Sequence, residues 1–190
     1  PTATVRNRFS IADNPNNSVT EAAVDAVEVS RLECGAPITV YPESFSLLRG
    51  MVVSGGLQEL RESDDSWLVL RPGIVLSGEE APIQLVLEGV SPIQTPMELA
   101  FRLEAHASVG NIQQTIDLYD FSTQQFQQVD QRMATLSDSV VTVSITNQPE
   151  RFVEQGTGRV RARIRYKSIG PVLTYPWFVS IDQSIWTVTP

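Results

Sequence analysis

The residues of this chain able to do chemistry are its carboxylates, one histidine, one cysteine and three tryptophans. His106 is the single histidine, and a Ser-His-Asp triad would have to use it. No G-x-S-x-G elbow or other nucleophile context accompanies it. It reads as a strand histidine with its hydrogen bonds satisfied. Cys34 stands alone, so it forms no intramolecular disulfide. It is either a small buried hydrophobe or one half of an intermolecular bridge. One His and one Cys build no zinc site without several carboxylates. No glycine-rich phosphate loop opens a helix, so nucleotide chemistry has no support. Asp64-Asp65 is a carboxylate pair of the kind glycoside hydrolysis uses, but adjacent loop acids ordinarily face water or cap backbone. No catalytic residue is assigned, and the chain is read as a non-enzyme.

Either no cofactor or calcium is expected. The loop Asp13-Asn14-Pro15-Asn16-Asn17-Ser18-Val19-Thr20-Glu21 is rich in oxygen donors, which calcium requires. It lacks the glycine and ligand spacing of an EF-hand, and such loops also bond their own backbone. Asp25 and Asp182 are more specific: Asp25 shares a strand face with Val27 and Val29, and Asp182 shares one with Trp186. A carboxylate facing a core must be ion-paired, metal-bound or hydrogen-bonded. The candidate calcium ligands are therefore Asp13, Asn16, Glu21, Asp25 and Asp182. Trp67, Trp177 and Trp186 are the candidate sugar-stacking rings, against the alternative that they pack inward. The stripe Arg161, Arg163, Arg165 and Lys167 suits either an anionic polymer or cross-strand acidic partners.

The elements that must position these groups are strands. Val160-Arg161-Ala162-Arg163-Ile164-Arg165-Tyr166-Lys167 alternates strictly, apolar residues inward and cations outward. Further strands are expected at residues 38–41, 45–53, 67–71, 83–88, 98–107, 115–121, 126–132, 139–146 and 179–188, separated by Gly, Pro and Asn turn signals. Ser122-Thr123-Gln124 predicts a tight hairpin turn. Residues 57–62 suit one helical turn. Residues 124–128, Gln-Gln-Phe-Gln-Gln, predict a polar strand edge. The fold class is all-β: an antiparallel, jelly-roll-like β-sandwich with an N-terminal two-stranded ribbon.

The ribbon comes from an internal repeat. Residues 5–11, Val-Arg-Asn-Arg-Phe-Ser-Ile, align with residues 160–166, and residues 23–29 align with residues 180–186. Residues 1–33 then form the closing two strands of one sandwich, and residues 34–190 form a second, complete sandwich. A lone two-stranded ribbon is marginal in water. Its apolar face, Val5, Phe9, Ile11, Val27 and Val29, needs a partner and is the expected assembly interface.

Residues 8–25 resemble the closing strands of jelly-roll modules in large secreted bacterial proteins. Ser63-Asp64-Asp65-Ser66-Trp67-Leu68-Val69-Leu70-Arg71-Pro72-Gly73 and Tyr175-Pro176-Trp177-Phe178-Val179-Ser180-Ile181-Asp182 resemble an uncharacterised C-terminal β-sandwich module of such proteins. The resemblance implies secretion and a multidomain parent, and no activity.

A net charge of −8 argues against nucleic acid, whose phosphates need clustered cations. No apolar run is long enough for membrane insertion. A chain opening at Pro1 reads as a processed product or fragment. The expected function is a non-catalytic structural module at the cell surface or outside it, polymerising head-to-tail by strand addition. The alternative is a carbohydrate-binding module of a secreted multidomain protein. The expected partners are other copies, adjacent domains, or polysaccharide.

Overall fold

The structure is a computed structural model and describes residues 35–170 and 174–190. The ribbon, its interface residues Val5, Phe9, Ile11, Val27 and Val29, the candidate ligands Asp13, Asn16, Glu21 and Asp25, and Cys34 lie outside the described residues.

Among the described residues eleven strands follow in order: β1 Ile38–Val40, β2 Ser44–Arg49, β3 Met51–Ser54, β4 Leu68–Arg71, β5 Ile83–Val90, β6 Glu98–Ala107, β7 Ile112–Asp120, β8 Gln125–Met133, β9 Ser139–Ile145, β10 Arg159–Ser168 and β11 Val179–Thr189. Single 3-10 turns occur at Gln58–Leu60 and Pro149–Phe152. One sheet runs β3-β4-β11-β6-β9, with β1 also on β11. The other runs β2-β5-β10-β7-β8, and every pairing is antiparallel. The expected β-sandwich is the observed fold.

Alternation builds the core. Val160, Ala162, Ile164 and Tyr166 of β10 are fully buried, while their neighbours in sequence face out. Facing them from the other sheet are Leu99, Phe101 and Leu103 of β6 and Ile181, Trp186 and Val188 of β11. Each such large side chain contributes about 1.5–3 kcal/mol on burial. The central strands carry this load because both flanks are paired.

One expected strand is corrected. Residues 45–53 do not form a single strand: β2 belongs to one sheet and β3 to the other. The break falls at Gly50, whose φ is +103°. A side chain is strained at that φ, so glycine lets the chain turn the sandwich corner within one residue. The hydrophobic pattern runs through the corner unbroken, yet only β2 packs on the core, through Phe45 and Leu47, while β3 is exposed at every residue.

Candidate functional site

The outward face of β10 is a charge network. Asp117 of β7 is 1% exposed. It accepts a bond of 2.8 Å from Nε of Arg163 and bonds of 2.7 and 2.8 Å from Nε and Nη2 of Arg165. Arg161 pairs with Glu88 of β5 at 2.6 Å, and Lys167 with Glu79 at 3.4 Å. Arg163 and Arg161 lie directly opposite Asp117 and Glu88 in the strand registers. The three arginines therefore take cross-strand acidic partners, the second of the two expected arrangements, and Lys167 takes a turn glutamate.

Beside this network three aromatics gather on one face where β7 turns into β8. Tyr119 lies opposite Phe126 across the β7–β8 register, ring centroids 5.1 Å apart. Phe121 is two residues further along, 5.0 Å from Tyr119. The Arg161 guanidinium covers Tyr119 at 4.8 Å, and that of Arg163 covers Phe126 at 4.3 Å. Among the described residues no guanidinium covers Phe121.

The hairpin at residues 121–124 is held by Asp120. Its buried carboxylate accepts the Ser122 N–H at 2.9 Å, the Ser122 hydroxyl at 2.6 Å and the Thr123 N–H at 3.2 Å. Arg151 stands 3.5 Å away. Burial alone would raise the Asp120 pKa, but these hydrogen bonds and Arg151 together hold it below the ordinary aspartate value. The Phe121 N–H donates to the Arg151 carbonyl at 2.8 Å, tying the hairpin to the 3-10 turn Pro149–Phe152.

Between hairpin and 3-10 turn lies an open groove of about 710 Å³. Tyr119, Phe121, Gln124, Gln148, Glu150, Arg151 and Arg161 are among the residues that line it. Gln124 and Gln148 have φ of +56° and +52°. A left-handed conformation is uncommon for a side-chain-bearing residue, and such strain concentrates where function requires it. Nε of Arg151 and Nε of Arg161 are buried without an acceptor.

A second cluster surrounds Asp182, which is 1% exposed and sits where the β11–β6 register slips between Ile181 and Gln183. Burial raises its pKa, as do Glu104 and Asp138 nearby; the N–H groups of Asp64 and Asp65 oppose that rise. The Asp64 N–H donates at 3.4 Å. A core-facing carboxylate with a backbone partner is one of the arrangements expected for Asp182. Asp65, Asp138 and Asp182 each bring one oxygen within 4.8 Å of the others. Two oxygens bound to one calcium at about 2.3–2.6 Å lie no more than ~5 Å apart, so the spacing fits that ion. Asp65 and Asp138 are absent from the sequence-derived ligand set, because they meet Asp182 only through the fold.

His106 borders this cluster, with Nδ1 3.8 Å from Asp138 Oδ1 and its ring edge-on to Trp67 at 5.5 Å. Its Nδ1 is buried without a hydrogen-bond partner, which corrects the expectation of a satisfied strand histidine. Asp64 behaves as an ordinary cap, accepting the Ser66 N–H at 3.0 Å.

The three tryptophans separate. Trp177 and Trp186 are 3% and 0% exposed, so neither offers a ring face to a sugar; both pack inward. Trp67 is 37% exposed beside His106 and does not line the groove. The groove aromatics were missed on sequence. The signal was there: Tyr119 and Phe121 share a strand face, and the predicted hairpin folds Phe126 back toward them.

No family model matches the sequence, and no curated protein matches it. Solved structures do. A xylan-binding module, CBM15, aligns with TM-score 0.49 and 12% identity over 80% of this chain and 95% of that one. A CBM4 module aligns with TM-score 0.48 and 11% identity over 78% and 88%. A family 29 carbohydrate-binding module aligns with TM-score 0.48 and 7% identity over 80% and 90%.

Proposed function

We propose that this sandwich is a non-catalytic carbohydrate-binding module of a secreted, extracellular protein, taking its ligand in the groove at the β7–β8 hairpin. The observation that carries this is the pairing of an uncovered aromatic, Phe121, with a ring of donors and acceptors in one open groove. A sugar ring has an apolar C–H face and an equatorial fringe of hydroxyls. Phe121 meets the first. Gln124, Gln148 and Glu150 meet the second. Native gels containing soluble polysaccharide should retard the protein. Phe121→Ala and Gln124→Ala should each weaken retention, Phe121→Ala by about tenfold or more, the scale of a binding hot spot. Since Trp67 lies outside the groove, binding there should leave tryptophan emission unchanged. Strong quenching with both variants retaining affinity would move the site to Trp67.

Calcium is the cofactor that accompanies this reading, held by Asp65, Asp138 and Asp182. It would neutralise a repulsion that the chain otherwise carries. Millimolar calcium should raise the melting temperature and EDTA should lower it, and Asp182→Asn should abolish the difference. A calcium response that survives in Asp182→Asn would place the ion elsewhere.

Assembly by strand addition is the second reading. Its donor, residues 1–33, lies outside the described residues. The observation favouring it is an acceptor: β9, Ser-Val-Val-Thr-Val-Ser-Ile, is an edge strand without charge or proline.

A further inference from the structure

We infer that the groove selects uncharged glycans over polyanionic ones; this rests on the carbohydrate-binding reading above. Both of its guanidiniums already have carboxylate partners. Arg161 is held by Glu88 at 2.6 Å, and Arg151 stands 3.5 Å from Asp120. Arg161 is also stacked on Tyr119 and Arg151 on Phe152, which fixes both planes. A uronate or sulfate group would have to draw one of them away. Taking Arg151 would strip a cation from buried Asp120, the group that holds the hairpin. Taking Arg161 would strip it from Glu88.

The remaining acids tip the balance further. Glu154 is matched by Arg159 at 3.5 Å and by the Thr157 hydroxyl. Glu150 lines the groove, is exposed, and has no ion pair among the described residues. The groove therefore presents two neutralised cations and one unmatched carboxylate, on a chain of net charge −8. An anionic polymer meets repulsion both at contact and within the screening distance, about 8 Å at physiological salt. A sugar hydroxyl donates to Glu150 and accepts from the amides of Gln124 and Gln148, breaking no existing pair.

The test uses the full chain in native gels containing β-glucan, galactan or mannan as neutral probes and polygalacturonate or alginate as anionic ones, with soluble chitosan oligosaccharides titrated separately. The expected result is retardation by at least one neutral polymer, little changed by about 0.3 M salt, which would screen a charge-driven contact, and none by the anionic pair. Retardation by polygalacturonate alone, lost with salt, would overturn the selectivity while leaving the groove as a sugar site. Chitosan oligosaccharides binding about tenfold tighter than neutral ones, with salt sensitivity, would show that Glu150 reads a cation and would also overturn it. Failure of every probe would remove the carbohydrate reading itself.

Discussion

At the scale of the residue, Asp120 is the groove's fixed point. Its depressed pKa means that the folded state holds the ionised form more tightly than the unfolded chain does. The sign follows: the stabilisation is complete above the unfolded value and is lost as pH falls through the lowered folded value. Asp120→Asn should cost about 1–2 kcal/mol at neutral pH, since hydrogen bonds to a charged acceptor outrank neutral ones. That deficit should shrink as both proteins are acidified from about pH 7 toward pH 2, where wild-type Asp120 also loses its charge. Urea denaturation across that range reads it, and a constant deficit would mean that shape, not charge, holds the turn. Asp182 has the opposite sign. Its raised pKa makes the ionised form a burden on the fold at neutral pH unless a cation joins it.

At the scale of the element, the hairpin and the 3-10 turn each keep a glutamine where glycine would be easier. Gln148 leads into Pro149–Phe152 at φ +52°, and Gln124 closes the β7–β8 turn at φ +56°. If their amides serve a ligand, stability has been given up for binding. Gln148→Gly should then raise stability by about 1 kcal/mol, the scale of left-handed strain. In a chain of this size that is ~2–4 °C in melting temperature. The same change should weaken glycan retention; a variant more stable and equally retentive would make the glutamine incidental. The sequence already showed the strands, because period-two alternation in β6 and β10 is imposed locally by a half-buried pleat. Asp117 beneath the arginines was not visible there: its role depends on which strand lies beside β10. Phe121 escaped for the same reason, as its groove is closed by a 3-10 turn almost thirty residues downstream.

At the scale of the whole molecule, the question is what guards the sheet edges. Among the described residues the free edges are β2, β3, β8 and β9, with the three-residue β1 as a further short one beside β11. Register breaks interrupt three of them: between Leu47 and Arg49 on β2, Val52 and Ser54 on β3, and Ile116 and Asp117 along the β7–β8 pair. Such breaks twist an edge away from intermolecular pairing. The β6–β9 pairing runs from Leu99↔Ile145 to Ala105↔Ser139 without one. Its seven residues carry no charge or proline, and Val140 is exposed. If residues 1–33 are donated to a neighbouring copy, β9 is where an incoming strand can form an unbroken ladder of main-chain hydrogen bonds. Because donor and acceptor are different surfaces, the contact is head-to-tail and propagates unless it closes into a ring. Three proteins test this by sedimentation at rising concentration: the intact chain, residues 34–190 alone, and the intact chain carrying Val140→Lys and Thr142→Lys. The intact chain should form large species. The truncated chain should stay folded and monomeric, since the strands described within residues 34–190 enclose a core of their own. The double lysine variant should also stay monomeric, because charge on an edge blocks pairing. An intact chain that remains monomeric would end the strand-addition reading. Assembly that persists in the lysine variant would keep the donor and move the acceptor away from β9.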